Sequence, residues 1–245
     1  HKASSLATSE EVSQWLGARI DSDLKPADNR QEYTQSSLQG TAGIGDVILR
    51  RGSSRRFSRS AISQAQLSAI LYSSIRGIPL DFLEKNASSV DIYFIANAVD
   101  GLAPGRYFYN RQSGSFESLA SKSEIASRNE SGYLCLGQPL FGDASAVFFV
   151  MADLDAHLRA LGNRGYRACQ FEAGVVAGKI YLSSYAQGLG ASGSTFYDDA
   201  VTESFSPHAR DKAAMIAVGV GMPAYKARPG KVLAATLTKA QLLNQ

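Results

Sequence analysis

The sequence predicts an α+β fold with a mixed or antiparallel sheet, and three observations favour it. Helical and strand-like segments are mixed along the 245 residues. Two short strand-like runs flank a turn at 112–114, which is typical of a hairpin. Ala146–Ala152 is continuously apolar, as expected of a strand that is covered on both faces of a sheet. The apolar fraction of 44% and the charged fraction of 19% are ordinary for a globular domain.

The predicted helices are recognised mainly by their ends. Ser63 and Gln66 form a capping box, apolar residues follow at helical spacing, and Gly77 is a natural stop. The longest predicted helix is rich in alanine and glycine, so we expect it to lie at the centre of the fold or at an interface. The remaining helices are predicted at Ser121–Leu136, Leu154–Leu161, Tyr166–Gln187 (the longest) and Asp199–Phe205.

The predicted strands are short and rich in apolar and aromatic residues. They span Val90–Asn97, Arg106–Asn110, Ser115–Leu119, Ala146–Ala152, Gly190–Ser194 and Ala213–Val220. Ile44–Arg50 is interpreted as a short apolar segment that leads into an arginine-rich stretch.

Residues 1–45 are polar and predict an arm or linker that must pack on something else to be ordered. A short helix is indicated from Ser9, and we expect Trp15 to anchor the arm to the body of the protein. The chain opens at His1 rather than at Met, so we expect it to be a piece of a longer protein.

Composition and charge argue against several classes of protein. A net charge of +3 without a basic, aromatic-rich tract does not indicate nucleic-acid binding. The longest apolar runs fall far short of the roughly 20 residues of a membrane span. Cys135 and Cys169 lie apart in apolar surroundings, which favours neither a disulfide framework nor zinc and suits a reducing cytoplasm. His157, interpreted as lying on the polar side of its helix, and His208 lack metal-ligand spacing, so no metal is expected.

The stretch Arg50–Ser58 contains four arginines and three serines and comes just before a predicted helix. Guanidinium groups and hydroxyls in such a cluster can bind a phosphate ester. A second basic pair, Lys226 and Arg228, follows the last predicted strand. The two clusters could converge on one anion, or the arginines could simply form a solvated surface turn.

Other patterns have simpler interpretations. Gly188–Gly193 spells GxGxxG, but it follows a helix instead of opening one, so we interpret it as a C-cap glycine and a turn. Asp198 and Asp199 are expected to cap a helix. The pattern leaves open whether Glu172 and Lys179 lie at an interface or in solvent.

Five short sequence segments, which follow one another along the chain, carry a family resemblance over about residues 46–228. They are Arg51–Phe57, Val99–Tyr107, Gly162–Arg167, Glu172–Gly174 and Gly188–Ala191. This progression resembles the nitroreductase-like flavoproteins and, within them, the SagB-type thiazoline/oxazoline dehydrogenases. The resemblance implies three regions: a polar arm at 1–45, the nitroreductase-like domain at 46–228 and a tail at 229–245.

The resemblance also implies FMN, bound at a dimer interface on a largely antiparallel sheet flanked by helices, with the long helix at the interface. By position, the phosphate side of the cofactor would meet one set of residues and the isoalloxazine ring another. Those sets are Arg51, Ser53, Arg55, Lys226 and Arg228 for the phosphate, ribityl chain or pyrimidine edge, and the backbone at Gly193, Ser194 and Thr195 for the ring. The cofactor carries the redox chemistry and the protein orients it, so no catalytic side chain is named.

The expected function is that of an FMN-dependent oxidoreductase that passes hydride in two steps, from reduced nicotinamide or from a peptide or small-molecule substrate. One segment departs from the family pattern: Arg76–Val90 stands where the family usually carries a Ser/Gly/Ala segment that runs into Leu-Tyr-Pro, and the serine-glycine contact and the Tyr-Pro are absent. This departure keeps open an alternative, a non-catalytic or divergent half-domain that completes a flavoprotein dimer, as a homodimer or as one half of a tandem pseudo-dimer. A third reading is FMN breakdown or storage, which needs only the binding site.

Overall fold

The structure is a computed structural model that describes residues 2–18, 20, 42–83, 87–119 and 128–225. Several of the predictions therefore lie wholly or partly outside the described residues, including the segment Arg76–Val90, in which residues 84–86 are not described. The others include the basic pair Lys226 and Arg228, the tail at 229–245, the segment 121–127 of a predicted helix and most of the second half of the arm.

The centre of the fold is a six-stranded sheet in the order β5-β4-β2-β6-β8-β7, in which every neighbouring pair is antiparallel. Its strands are β2 (Val90–Ala96), β4 (Gly105–Asn110), β5 (Ser115–Ser118), β6 (Ala146–Ala152), β7 (Gly190–Ser194) and β8 (Ala213–Gly221). Two further two-residue strands pair in parallel, β1 (Ile62–Ser63) and β3 (Val99–Asp100). The α+β class and the largely antiparallel sheet are confirmed.

The two central strands explain why the fold has three layers, with the sheet between helices on both faces. Every residue of β2 and β6 is buried. Along β2, Ile92 and Phe94 face one hydrophobic cluster, whereas Tyr93 and Ile95 face another. Because successive side chains of a strand point to opposite faces, helices must cover the sheet on both sides. The continuous apolar pattern of Ala146–Ala152 therefore predicted its environment correctly.

The helices divide between the two faces of the sheet. Residues of α3 and α7 contribute to one cluster, and residues of α4, α5 and α8 contribute to the other. The helices are α1 (Ser9–Gly17), α2 (Ile44–Arg50), α3 (Gln64–Ser74), α4 (Arg128–Leu134), α5 (Pro139–Asp143), α6 (Leu154–Leu161), α7 (Gly165–Ala186) and α8 (Asp198–Ser204), with short 3-10 turns at Lys2–Ser4 and Gly162–Arg164. None of the helices in the described ranges combines the length and apolar character that crossing a bilayer requires.

Local capping chemistry sets the ends of α3 and α7. The Ser63 hydroxyl accepts a bond from the Gln66 backbone N–H (3.1 Å), and the Gln66 side chain accepts one from the Ser63 N–H (2.9 Å). This is the predicted capping box. Gly77 and Gly188 have φ values of +65° and +75°, which glycine adopts without a steric cost. Gly188 is therefore a helix-terminating glycine, as predicted.

Two local predictions need correction. Ile44–Arg50 is a helix, α2, and not only an apolar lead-in. Asp198 and Asp199 lie in the first turn of α8, but Tyr197 is the N-cap residue and its side chain makes no capping hydrogen bond. The two carboxylates therefore stabilise α8 only through their charge near its N-terminus.

The N-terminal arm is anchored by Trp15, as the sequence predicted. Its indole N–H donates to the Asp81 carboxylate (2.9 Å), its ring lies 6.0 Å from the Phe82 ring, and the Arg164 guanidinium lies 4.5 Å from its centroid. Farther along, the Ile20 N–H donates to the Phe82 carbonyl (3.2 Å). The arm is thus packed against the segment that departs from the family pattern.

Trp15 is the only tryptophan of the chain, so its fluorescence reports on this contact. We expect Phe82→Ala and Arg164→Ala each to shift the emission maximum to longer wavelength, because either loss exposes the indole to water. Leu136→Ala changes a partly exposed side chain that does not belong to the hydrophobic cluster around Trp15 and Phe82, and it serves as the control. An unchanged emission maximum in both test variants would show that the arm is not anchored in this way.

Candidate functional site

The arginine cluster runs alongside the ends of β7 and β8. The Ser54 N–H donates to the Ala191 carbonyl (2.8 Å), and the Ser58 N–H donates to the Met222 carbonyl (2.9 Å). Between them, Phe57 forms an antiparallel bridge with Pro223. A surface turn without tertiary contacts would lack these bonds. The segment from Arg51 onward is therefore held in place by the ends of β7 and β8.

Gly190 allows the cluster to come this close. A Cβ atom placed on Gly190 would lie 2.1 Å from the Ser54 Oγ, far inside van der Waals contact. Both residues are buried. The middle glycine of the GxGxxG run is therefore required by close packing against the arginine cluster, and the run does not open a helix.

The side chains of Arg51, Ser53 and Arg55 are exposed, although the backbone beneath them is fixed. Among the residues that the structure describes, no ion pair is formed by Arg51 or Arg55. Arg59, by contrast, pairs with Asp143 at 2.9 Å. The first part of the cluster thus presents cationic donors that are not neutralised by described acidic groups.

A tyrosine that the sequence did not single out joins two of the predicted site residues. The Tyr181 hydroxyl lies 3.4 Å from the Ser53 Oγ and accepts a hydrogen bond from the Gly193 backbone N–H. Tyr181 is half-buried on α7, and Tyr185 follows one turn later beside Gly52. The only feature of the sequence that could have indicated this contact is the pair of tyrosines one turn apart near the end of the long helix.

Gly193, Ser194 and Thr195 line an open cleft of about 610 Å³. Tyr166 and Gln170 of α7 and the first half of β8 also line it. The Ser194 hydroxyl accepts a hydrogen bond from the Gln138 side-chain amide (2.8 Å). The cleft is thus assembled from elements far apart in the sequence.

The structure therefore places the predicted site residues in two groups along β7. Ser54 of the cluster meets the strand at Ala191, whereas Thr195 lies just past its other end. At about 3.3 Å per residue, these positions are roughly 13 Å apart. Lys226 and Arg228 lie outside the described residues, but the hydroxyl of Tyr225, the last described residue, accepts a bond from the Arg55 N–H (2.9 Å).

The edge of β7 facing away from β8 carries backbone groups in a regular pattern. The Ala191 carbonyl and the Gly193 N–H both bond to partners outside the sheet, Ser54 and Tyr181. Residues of one strand alternate in the direction of their backbone groups. If this alternation continues past the end of β7, the backbone of Thr195 is directed to the same side.

Several polar residues lie apart from this region. The prediction for His157 was wrong: it is 1% exposed and bonds to the Ser89 hydroxyl at 2.8 Å. Glu172, whose environment the sequence left open, is fully buried. Burial raises the pKa of the Cys135 thiol to about 12 and that of Cys169 to about 11, so neither is a reactive thiolate.

Comparison with known proteins agrees with this fold. The chain is 28% identical over 166 residues to a nitroreductase-family protein of Methanocaldococcus jannaschii, covering 65% of this chain and 82% of the relative. A nitroreductase-type crystal structure from Anabaena variabilis superposes with a TM-score of 0.64 at 26% identity, covering 74% of this chain. This chain spans only 38% of that protein's chain.

Two more distant structures share the fold. One is the Escherichia coli microcin synthetase McbBCD complex with truncated pro-MccB17 bound (TM-score 0.59, 15% identity, 86% of this chain and 90% of that chain). The other is an FMN-dependent nitroreductase of Clostridium difficile (TM-score 0.51, 11% identity, 76% and 91%). The sequence profile described as the nitroreductase family matches residues 48–222. The chain belongs to the nitroreductase family.

Proposed function

We propose that this protein is an FMN-dependent oxidoreductase that binds its cofactor along the outer edge of β7. One observation carries the proposal: the arginine cluster is bonded to Ala191 at one end of this strand, and the other end lines the cleft. FMN has a charged phosphate at one end and a flat ring at the other, so it suits a site with cations at one end and a cleft at the other.

The residues at the cationic end fit a phosphate. A phosphate dianion leaves water only if several cationic or hydroxyl donors replace its hydration. Arg51 and Arg55 supply exposed guanidinium groups, and Ser53 supplies a hydroxyl. Because Lys226 directly follows Tyr225, whose hydroxyl meets the Arg55 backbone, chain connectivity favours a contribution from Lys226 and Arg228.

The cleft end fits a flat, mostly apolar ring. A volume of about 610 Å³ lies within the range of small-molecule sites. In this pose the backbone near Gly193, Ser194 and Thr195 faces the ring edge, while the Tyr181 hydroxyl, bonded to the Gly193 N–H, holds this strand end in place. Bound FMN would supply the hydride chemistry, and the protein's own groups would bind and orient it and limit its contact with water.

The substrate is proposed by family analogy. The electron donor would be reduced nicotinamide or the substrate itself. A SagB-type dehydrogenase would act on thiazoline or oxazoline rings in a peptide, and the structural likeness to the microcin synthetase complex supports this branch. A general nitroreductase acting on small molecules is the broader form of the same proposal.

A half-domain role is the second candidate, and two observations favour it. The chain spans 38% of the Anabaena variabilis chain that it resembles. In addition, Ser88 and Ser89, which lie within the segment that departs from the family pattern, are bonded to the buried Glu172. In this alternative the chain completes a flavoprotein dimer without carrying out the reaction. The domain limits of 46–228 and a cytoplasmic location remain predictions.

The FMN proposal predicts a yellow protein. Purified or FMN-reconstituted protein should show visible flavin absorption, and Arg51→Ala or Arg55→Ala should weaken FMN binding on the order of 10- to 100-fold, as expected for lost charge-assisted bonds. Arg210→Ala, which removes an exposed arginine outside the cluster, is the control. A protein that stays colourless with added FMN would favour the half-domain role.

The packing at Gly190 yields a second prediction. Gly190→Ala should displace the arginine cluster and lower both FMN affinity and stability, by about 1–3 kcal/mol in the free energy of urea unfolding. Gly17→Ala is the matched control, because a Cβ there meets no atom within 4 Å and Gly17 lies in α1, outside the proposed site and dimer surface. Equal effects of the two substitutions would argue against the packed contact.

An exposed apolar surface supports the proposed dimer. Leu49 of α2 and Phe171 of α7 are 76% and 60% exposed. Ile48, also on α2, is a further exposed apolar side chain. Gly174 and Gly178 on α7 are also exposed and meet nothing within 4 Å, so another helix could approach closely. Exposed apolar side chains beside small residues are typical of interaction sites.

Sedimentation tests the dimer directly. The protein should sediment as a dimer at micromolar concentration, and Leu49→Asp or Phe171→Asp should shift it to monomer, because a carboxylate would be buried in the interface. Tyr133→Asp changes an exposed aromatic residue on another helix and should leave the dimer intact. A wild-type protein that is monomeric under these conditions would refute the prediction.

A further inference from the structure

A buried polar cluster connects α6, α7 and the start of β2, apart from the proposed flavin site. It consists of His157 on α6, Glu172 on α7, and Ser88 and Ser89 just before β2. Glu172 is 0% exposed and His157 is 1% exposed. Burying two ionisable groups is costly unless each is hydrogen-bonded, so the pattern of bonds constrains where the protons lie.

The carboxylate of Glu172 receives bonds from three groups. The Ser88 hydroxyl lies 2.6 Å from Oε1, the Ser89 N–H lies 3.0 Å from Oε1, and the Ser89 hydroxyl contacts Oε2. The same Ser89 Oγ lies 2.8 Å from Nε2 of His157. The other ring nitrogen of His157, Nδ1, lies 2.6 Å from the carbonyl oxygen of Asp153.

These contacts allow the protons to be counted. A carbonyl oxygen only accepts, so Nδ1 of His157 carries a proton. The two contacts of Ser89 Oγ, to Glu172 Oε2 and to His157 Nε2, need one proton each, and the hydroxyl brings only one. An ionised Glu172 beside a neutral His157 would leave one contact without a proton, whereas a second proton on Oε2 would put three protons in two contacts. A second proton on Oε1 would require the Ser88 hydroxyl to give up its 2.6 Å bond to the carboxylate for the longer one to the Val90 carbonyl (3.3 Å).

We infer that Glu172 and His157 share a single proton through the hydroxyl of Ser89, forming a buried relay that fastens the start of β2 to α6 and α7. The proton lies on His157 beside an ionised Glu172, or on Glu172 beside a neutral imidazole. The Ser89 hydroxyl donates to the carboxylate in the first state and to the imidazole in the second. The inference does not depend on flavin binding.

The charged neighbours of this relay are themselves paired or capped. Arg111 faces both Glu172 and Asp91, and burial lowers the pKa of its guanidinium while the two carboxylates oppose that shift. Arg111 also donates to the Val90 carbonyl (3.0 Å), and Lys212 bonds Asp91 at 2.6 Å. The side chain of Asp153 caps α6 at the Ala156 N–H, and Cys169 remains a neutral thiol because burial raises its pKa to about 11.

Glu172→Gln provides a sharp test, because a glutamine amide reproduces the second state without a titratable proton. Its N–H can donate to Ser89, and Ser89 can donate to a neutral His157. In urea unfolding of the flavin-free full chain at pH 7, Glu172→Gln should therefore keep an unfolding constant within about tenfold of the wild-type value, because both contacts of the Ser89 hydroxyl are retained. A Glu172→Gln protein that is as unstable as Ser89→Ala would overturn the inference.

Ser89→Ala is the companion variant, since it removes the bridge and leaves both ionisable groups. It should be less stable than Glu172→Gln at pH 7, because it breaks both contacts. Nitrogen-15 NMR of histidine-labelled protein gives a direct reading, with His208→Gln used to assign the resonances. Nδ1 of His157 should be protonated in the wild type and in Glu172→Gln, and Nε2 should be unprotonated in Glu172→Gln. An unprotonated Nδ1, or a protonated Nε2 in Glu172→Gln, would also overturn the relay.

Discussion

The proposed site depends on the packing of the arginine cluster against the outer edge of β7. Ser54 reaches the Ala191 carbonyl only because Gly190 has no side chain to block it. This contact fixes the backbone beneath Arg51 and Arg55 while leaving their guanidinium groups exposed. Without it, the same arginines would be a solvated turn, and their charges would have no defined position relative to the cleft.

The sheet provides the rigid frame for that edge. The buried strands β2 and β6 are covered on both faces, and β8 connects them to β7 through an antiparallel register. The helix α7 packs on one face of this frame and leads directly into β7. Tyr181, near the end of α7, then joins Ser53 and Gly193, so helix, loop and strand meet at one phenolic oxygen.

The buried relay has a separate role in the N-terminal half of α7, where Glu172 lies. Its members hold the start of β2 in place, at the end of the segment that departs from the family pattern. Glu172 belongs to one of the five sequence segments that carry the family resemblance, yet in this structure it contacts Ser88 and Ser89 and not the proposed flavin site. Part of the family signal in this chain is therefore structural, while the cationic cluster carries the argument for binding.

The sequence by itself determined the α+β class, most helix and strand positions and the capping box at Ser63, because caps and periodicity depend on neighbouring residues. It also placed Arg51, Ser53 and Arg55 in one short segment. It could not reveal that His157 is buried, since its partners Ser89 and Glu172 come from other elements. Only the tertiary structure decided these contacts and the meeting of the arginine cluster with β7, because strand order and register bring distant segments together.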